Sequence, residues 1–284
     1  MNSTLKIIEL NVQSIDVRNE DKYKILIEEL VNQKADIIVL TEITCAQREI
    51  LNCLFENSEC NYAFAATSNQ TPNGVNIIVS ADKVEKVMFQ DIRTYKNNRK
   101  NNMEVLENSV YPDALFATVY LKNGMKFCLM GTRFSVSKLT SAEYKIQIKN
   151  FYDIVNTYKA RLIIGDFNWD TAIKPYVESR KRCNNEEEKF CTNIGFNGRA
   201  IDGTRKAKFN MWPLHQMLEN KNNALCSHIA KKDGKSKTCP DRVVYDNNTV
   251  ELICSYHPIL NDDKWMFDHA ILSCEVKIKN KDET

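Results

Sequence analysis

The sequence predicts an α/β fold on three observations. Two short, almost wholly apolar runs, Ala35–Leu40 and Leu162–Ile164, have the composition of strands buried on both faces. Stretches with apolar residues at helical spacing lie between such runs. Turn pairs such as Asn123-Gly124, set between apolar segments, mark hairpins.

Taken in order, Leu5–Leu10 forms the first strand and Asn11 follows its end. From Asn19 to Gln33 the set Tyr23, Leu26, Ile27, Leu30 and Val31 has helical spacing. Ala35–Leu40 is the second strand, with Glu42 beyond it, and a helix covers Ala46–Phe55. Tyr62–Ala66 and Val75–Ser80 are strands joined across Thr71-Pro72-Asn73-Gly74. Residues Lys83–Pro112, with the basic run Arg93–Lys100, read as an excursion over the surface. Ala114–Leu121 and Lys126–Met130 form the Asn-Gly hairpin, and Gly131-Thr132-Arg133-Phe134 follows. A Thr140/Glu143 capping box opens a helix whose face is Tyr144, Ile148, Phe151, Tyr152 and Val155. Leu162–Ile164 comes next, closed by Gly165. Residues 170–238 are irregular, with a short helix over Pro213–Glu219. Asp241–Tyr245, Val250–Ser255 and Ala270–Ile278 are the last strands.

Composition narrows the function. The 284 residues are 43% hydrophobic and 27% charged, ordinary for a soluble globular chain. A net charge of +2 excludes a strong global field for capturing nucleic acid and leaves only local patches. No run is long and apolar enough to span a membrane, and MNSTLKIIELN lacks the apolar core of a signal peptide. The expectation is a cytoplasmic protein, without membrane contact, whose ten cysteines are reduced core or incidental surface thiols. No Cys/His pair has zinc-ligand spacing.

The stretch Gly165-Asp166-Phe167-Asn168 carries the clearest chemistry. Asp166 and Asn168 stand just past a strand's carboxyl end, where open α/β sheets place ligands. A carboxylate can orient a water or take its proton, and an amide can donate to an anionic oxygen without adding repulsive charge. An Asp/Asn turn has the same composition. Asn11, Glu42, Asp241, Asp268 and His269 also fall beside strands. If those strands share one edge, four carboxylates, two amides and an imidazole converge. Such crowding calls for a cation, and an all-oxygen set suits Mg²⁺ or Mn²⁺.

The order ELN (Asn11), LTE (Glu42), GDFN (Asp166, Asn168), DRVVY (Asp241) and FDH (Asp268, His269) resembles the endonuclease/exonuclease/phosphatase superfamily, whose best-known member is DNase I. The segment Asn73–Ser80 also resembles that family's glycine-started strand. The matches run from about residue 5 to 277. The resemblance implies one domain over residues 1–284: a four-layer sandwich of two packed, mostly antiparallel sheets flanked by helices. It implies Glu42 as principal metal ligand, with Asn11 and Asp268 nearby. Asp166 would orient or deprotonate the attacking water, and Asn168 would steady phosphate oxygens. His269 would contact the phosphate or act as base, with Asp241 fixing its tautomer. Asn11, Asn76 and Arg242 would contribute substrate contacts.

One position departs from the pattern. Many members carry Thr-His where this chain has Thr132-Arg133. Arginine cannot serve as a general acid near neutral pH, but its fork can bind phosphate and neutralise developing charge. Basic and aromatic clusters at 93–100, 180–212 and 231–237 are candidates for gripping a phosphate backbone, and charge runs are equally the mark of a solvated face. The leading expectation is a Mg²⁺-dependent phosphodiesterase acting on DNA or RNA, as a monomer. The alternatives are a phosphomonoesterase on a nucleotide or inositol phosphate, and a binding protein with a weakened site.

Overall fold

The computed structural model describes residues 3–12, 18–56, 61–68, 74–92, 112–134, 147, 150–151, 154–155, 157–168, 209–212, 227–229, 237–261 and 264–279. In chain order these form β1 (Ser3–Asn11), α1 (Glu20–Asn32), β2 (Ile37–Ile43), α2 (Cys45–Glu56), β3 (Tyr62–Thr67), β4 (Gly74–Ser80), β5 (Val84–Asp91), β6 (Asp113–Leu121), β7 (Lys126–Arg133) and β8 (Leu162–Asp166). They continue with β9 (Phe209–Trp212), β10 (His228–Ile229), β11 (Lys237–Thr238), β12 (Asp241–Asp246), β13 (Val250–His257), β14 (Leu260–Asn261), β15 (Lys264–Trp265) and β16 (Ile271–Ile278). Residues 147, 150, 151, 154, 155, 157 and 158 are helical. The Thr140 capping box, the 213–219 helix and the three basic clusters, apart from the backbone of residues 209–212 and 237, lie outside the described residues.

Two six-stranded sheets form the centre, in the orders β13-β16-β1-β2-β4-β3 and β5-β6-β7-β8-β12-β9. Pairing is antiparallel except for β1 with β2 and β7 with β8. Each parallel step needs a crossover, and helical residues lie between the two strands in both cases. The Asn19 side chain caps α1 by accepting from Lys22 N at 3.2 Å, and Glu20 and Asp21 fill its first turn, where the helix dipole favours negative charge.

The sheets face one another through alternate residues. Leu5 and Ile7 of β1, Ile37 and Val39 of β2, Val75, Ile77 and Val79 of β4, Phe127 and Leu129 of β7, Leu162 and Ile164 of β8 and Val243 of β12 share one core. Each buried aliphatic side chain contributes about 1.5–3 kcal/mol relative to exposure. The opposite face of the first sheet buries Ile8, Leu10, Ile38 and Leu40 against Tyr23, Leu26, Leu30, Leu51 and Phe55 of α1 and α2. On the second sheet's outer side, Phe116 packs against Tyr158 at a ring distance of 5.3 Å. The result is the expected four-layer sandwich. No helix among the described residues is long and apolar enough to cross a membrane.

Two expectations change. Residues 84–91, read as surface excursion, form β5 at the edge of the second sheet, paired with β6. One of its faces meets solvent and its Met88 is 52% exposed, so its outward side chains hide the strand pattern. Glu42 lies inside β2 rather than beyond it, where the register with β4 shifts between Leu40 and Ile43.

Candidate active site

At one end of the sandwich the inward-facing rows change from apolar to polar. On β1, Leu5 and Ile7 are continued by Glu9 and Asn11, and on β2, Val39 is continued by Thr41. On β7, Leu129 and Gly131 lead to Arg133. On β8, Ile164 leads to Asp166, and on the antiparallel β12, Val243 is preceded by Asp241. Arg133, Asp166 and Asp241 stand side by side, Asp166 being in register with each of the others. Asn11 and Thr41 are likewise in register on the facing sheet.

Asp166 is the centre of the hydrogen bonding. Its Oδ2 accepts from Asn11 Nδ2 at 3.0 Å, across the gap between sheets, and from Asn168 Nδ2 at 2.9 Å. Its Oδ1 accepts from the Asn168 backbone N at 2.7 Å. Asn168 adopts a left-handed φ of 49°, a conformation asparagine tolerates, and also donates to Phe134 O at 2.7 Å. Phe167 is buried against Phe134 and Phe151, at ring distances of 5.3 and 5.9 Å, so the turn is anchored from beneath. Gly165 is required for this approach: φ is 155°, and a Cβ there would lie 1.7 Å from Thr132 O.

His269 Nδ1 stands 2.9 Å from Asp241 Oδ2. Ser227, which sequence reasoning missed, ties both sides of this pair: its Oγ accepts from Asp241 N at 3.2 Å and its carbonyl from Ala270 N at 2.8 Å. The Tyr256 hydroxyl donates to Asp241 O.

Arg133 does something other than expected. Its Nε donates to Glu42 Oε1 at 2.8 Å, its Nη2 reaches the same oxygen, and its Nη1 lies 3.6 Å from Asp113 Oδ2. The fork assigned to phosphate is thus engaged by two buried carboxylates. Glu42 itself has φ of 56°, an uncommon conformation for a long side chain that costs about 1–3 kcal/mol. A reciprocal cap follows it: Thr44 Oγ1 accepts from Gln47 N at 3.2 Å, and Gln47 Oε1 from Thr44 N at 2.8 Å. Gln47 Nε2 also donates to Val12 O at 3.0 Å, which fixes the exit of β1 beside Glu42.

A second residue missed by sequence reasoning is Glu9. It is fully buried and accepts from Thr41 Oγ1 at 2.9 Å. Burial, and then the charges of Asp241 and Asp166, hold its carboxyl well above the usual range. Burial and Asp241 also push Asp166 up to about 7, against the opposing charge of His269. For His269, burial disfavours the charged form, but the charge and hydrogen bond of Asp241 prevail and raise it to about 9. The signal for Glu9 was its position two residues before Asn11, in the inward row of a strand.

Among the described residues no three His, Cys, Asp or Glu side chains form a ready-made metal cage. Glu42 Oε2, the oxygen Arg133 does not hold, is buried with no hydrogen-bond partner among them. A hard cation would satisfy it. Mg²⁺ binds through one or two carboxylates plus waters and substrate phosphate, so this donor set fits Mg²⁺ better than an all-protein cage would require. Asp268 is half-buried and its charge bears on His269.

Two expected substrate contacts are corrected. Arg242 is fully buried, alternates away from Asp241 along β12, and donates from Nε to Cys239 O at 3.1 Å, so it supports the strand and offers no surface to a ligand. Asn76 is buried and alternates with Val75 and Ile77 of the sandwich core, which turns it to the other face of its sheet, away from Asp166.

Two packed six-stranded sheets thus carry Asn11, Glu42, Asp166, Asn168, Asp241 and His269 at one end, on a DNase I-like fold. Solved structures with this fold include D. rerio TDP2 complexed with a single-strand DNA product, 15% identical, matched over 96% of this chain and 99% of that one with a TM-score of 0.60. An endonuclease/exonuclease/phosphatase from Bacteroides vulgatus is 12% identical over 98% of this chain and 100% of that one, with a TM-score of 0.62. The human Nocturnin catalytic domain with bound sulfate is 14% identical over 97% and 95%, with a TM-score of 0.55. At these identities the likeness is one of fold. No protein-family model and no curated protein matches the sequence.

Proposed function

We propose that the protein is a Mg²⁺-dependent phosphodiesterase that hydrolyses a DNA or RNA backbone by attack of an activated water. The observation that carries this reading is the cluster around Asp166: two amides on one oxygen, a third donor on the other, and the Asp241–His269 pair beside it. With a value near 7, Asp166 is matched to accepting a proton from water at neutral pH. Its three donors fix the direction of its remaining lone pair. His269, raised to about 9, is positively charged at neutral pH and suits contact with a phosphate oxygen rather than proton abstraction. Asp241 holds the charged ring and its orientation through Nδ1. Asn11 and Asn168 position the carboxylate. Arg133 positions Glu42. A cation at Glu42, with Asn11 and Asp268 alongside, would screen the phosphate's charge and polarise its oxygens. The D. rerio TDP2 structure holding single-strand DNA supports a nucleic-acid substrate for this fold.

The test is nicking of supercoiled plasmid by the purified protein with Mg²⁺, beside an EDTA control and the Asp166→Ala variant. Nicking that needs the metal and falls at least about 100-fold in the variant supports the reading. Equal turnover in the variant overturns the role of Asp166. A folded protein that binds Mg²⁺ and cuts neither plasmid nor RNA belongs with small phosphate esters.

A further inference from the structure

Two of the ten cysteines face one another across the first sheet. Cys254 on β13 and Cys274 on β16 are direct partners in the antiparallel register, and their Sγ atoms are 2.7 Å apart. Directly opposed residues of an antiparallel pair have Cα atoms about 4.5–5.5 Å apart, inside the range of about 4.4–6.8 Å that a disulfide spans. The two thiols differ in access. Cys274 is fully buried in the sandwich core, whereas Cys254 is half-buried on an edge strand of the sheet.

We propose that Cys254 and Cys274 form a reversible dithiol/disulfide pair, oxidised by low-molecular-weight disulfides through Cys254. The Cys254 thiolate attacks the small disulfide, forming a mixed disulfide and releasing one small thiol. Cys274 Sγ then attacks the Cys254 sulfur and expels the second small thiol. Two protein thiols are oxidised by two electrons in all, and the two small thiols carry away the electrons and both protons. The assignment of roles follows access: the thiol an oxidant can reach is attacked first, and the core thiol resolves it. Burial, and then Cys254, hold Cys274 well above the ordinary thiol range, which also makes it the poorer first nucleophile.

The bond would close a segment that matters to the site. The residues between the two cysteines include Tyr256, whose hydroxyl binds Asp241 O, and Asp268 and His269. Both ends of the segment that delivers His269 are therefore tied by one covalent link when the pair is oxidised. This proposal does not depend on what the site hydrolyses.

The experiment treats the full-length reduced protein with oxidised glutathione, blocks remaining thiols in denaturant, and maps peptides by mass spectrometry. The expected result is loss of the alkylated forms of both Cys254 and Cys274, a joined Cys254–Cys274 peptide lighter by two hydrogens, and full recovery with dithiothreitol; the exposed Cys45 and Cys53 form only glutathione adducts. In the Cys254→Ser variant the joined peptide does not form and Cys274 stays reduced. In Cys274→Val, which refills the core, Cys254 stops at the glutathione adduct. Alkylation of both Cys254 and Cys274 after oxidation overturns the proposal. So does a stable glutathione adduct on Cys254 of the unmutated protein with Cys274 left as the thiol.

Discussion

Replacing Asp241 by Asn tests the electrostatics of the site most directly. In the folded protein His269 is raised from 6.5 to about 9, because the charge and hydrogen bond of Asp241 outweigh the cost of burial. A raised histidine stabilises the fold fully below its unfolded value, and that contribution is lost as pH climbs through the folded value. At about 1.4 kcal/mol per pH unit, the gap of about 2.5 units is worth about 3 kcal/mol in full, of which about 2 kcal/mol disappears between pH 7 and pH 9. In Asp241→Asn the two largest upward influences are gone while burial and the charges of Asp166 and Asp268 remain, so His269 moves down and much of this loss goes with it. Urea unfolding of both proteins at pH 7 and pH 9 reads the difference. Thiols of the unfolded chain titrate over the same range, but they affect both proteins alike. The unmutated protein should lose more than the variant, by up to about 2 kcal/mol. Equal losses would refute the pairing of Asp241 with a charged His269.

The same substitution removes the largest upward push on Asp166 after burial, so the acid limb of any rate profile should move below pH 7; an unmoved limb would separate Asp166 from Asp241. Arg133→Ala strands Glu42 in the interior and should cost about 3–5 kcal/mol in urea unfolding, with much of it restored by adding Glu42→Ala. A single-variant cost below about 1 kcal/mol would mean the ion pair is not formed. Gly165→Ala forces a Cβ into Thr132 O and should destabilise by about 3 kcal/mol or more, seen as a lower denaturation midpoint. Mg²⁺ should raise the melting temperature of the unmutated protein but not of Glu42→Gln, and equal shifts would place the cation elsewhere.

Much of the fold was legible because its rules are local. The apolar run at 37–40, the spacing of Tyr23, Leu26 and Leu30, and Asn123-Gly124 each specify their element without help from distant residues. Asp166, Asn168, Asp241 and His269 were legible only as a set: each alone reads equally as a turn or cap, and their order along the chain carries the resemblance. Glu9 was not, since it sits within the run Lys6–Asn11 and only its inward position shows that it joins the site. Arg133 was assigned to phosphate because nothing local tells that Asp113 and Glu42 would engage it. The register joining Cys254 to Cys274 depends on a chain reversal 20 residues long, which no local pattern encodes.

The site is divided between the sheets: Glu9, Asn11, Thr41 and Glu42 belong to one, Arg133, Asp166 and Asp241 to the other. Neither half contains the constellation. It exists only once the two sheets have docked, and docking brings Glu9, Asp166 and Asp241 together against their mutual repulsion. The apolar rows beneath must supply the closing force, and where Gly131 lets Val39 and Val75 approach its backbone, they also set how wide the cleft is. The chemistry therefore exists only in the docked sandwich, and the thickness of a hydrocarbon seam fixes the span between its carboxylates.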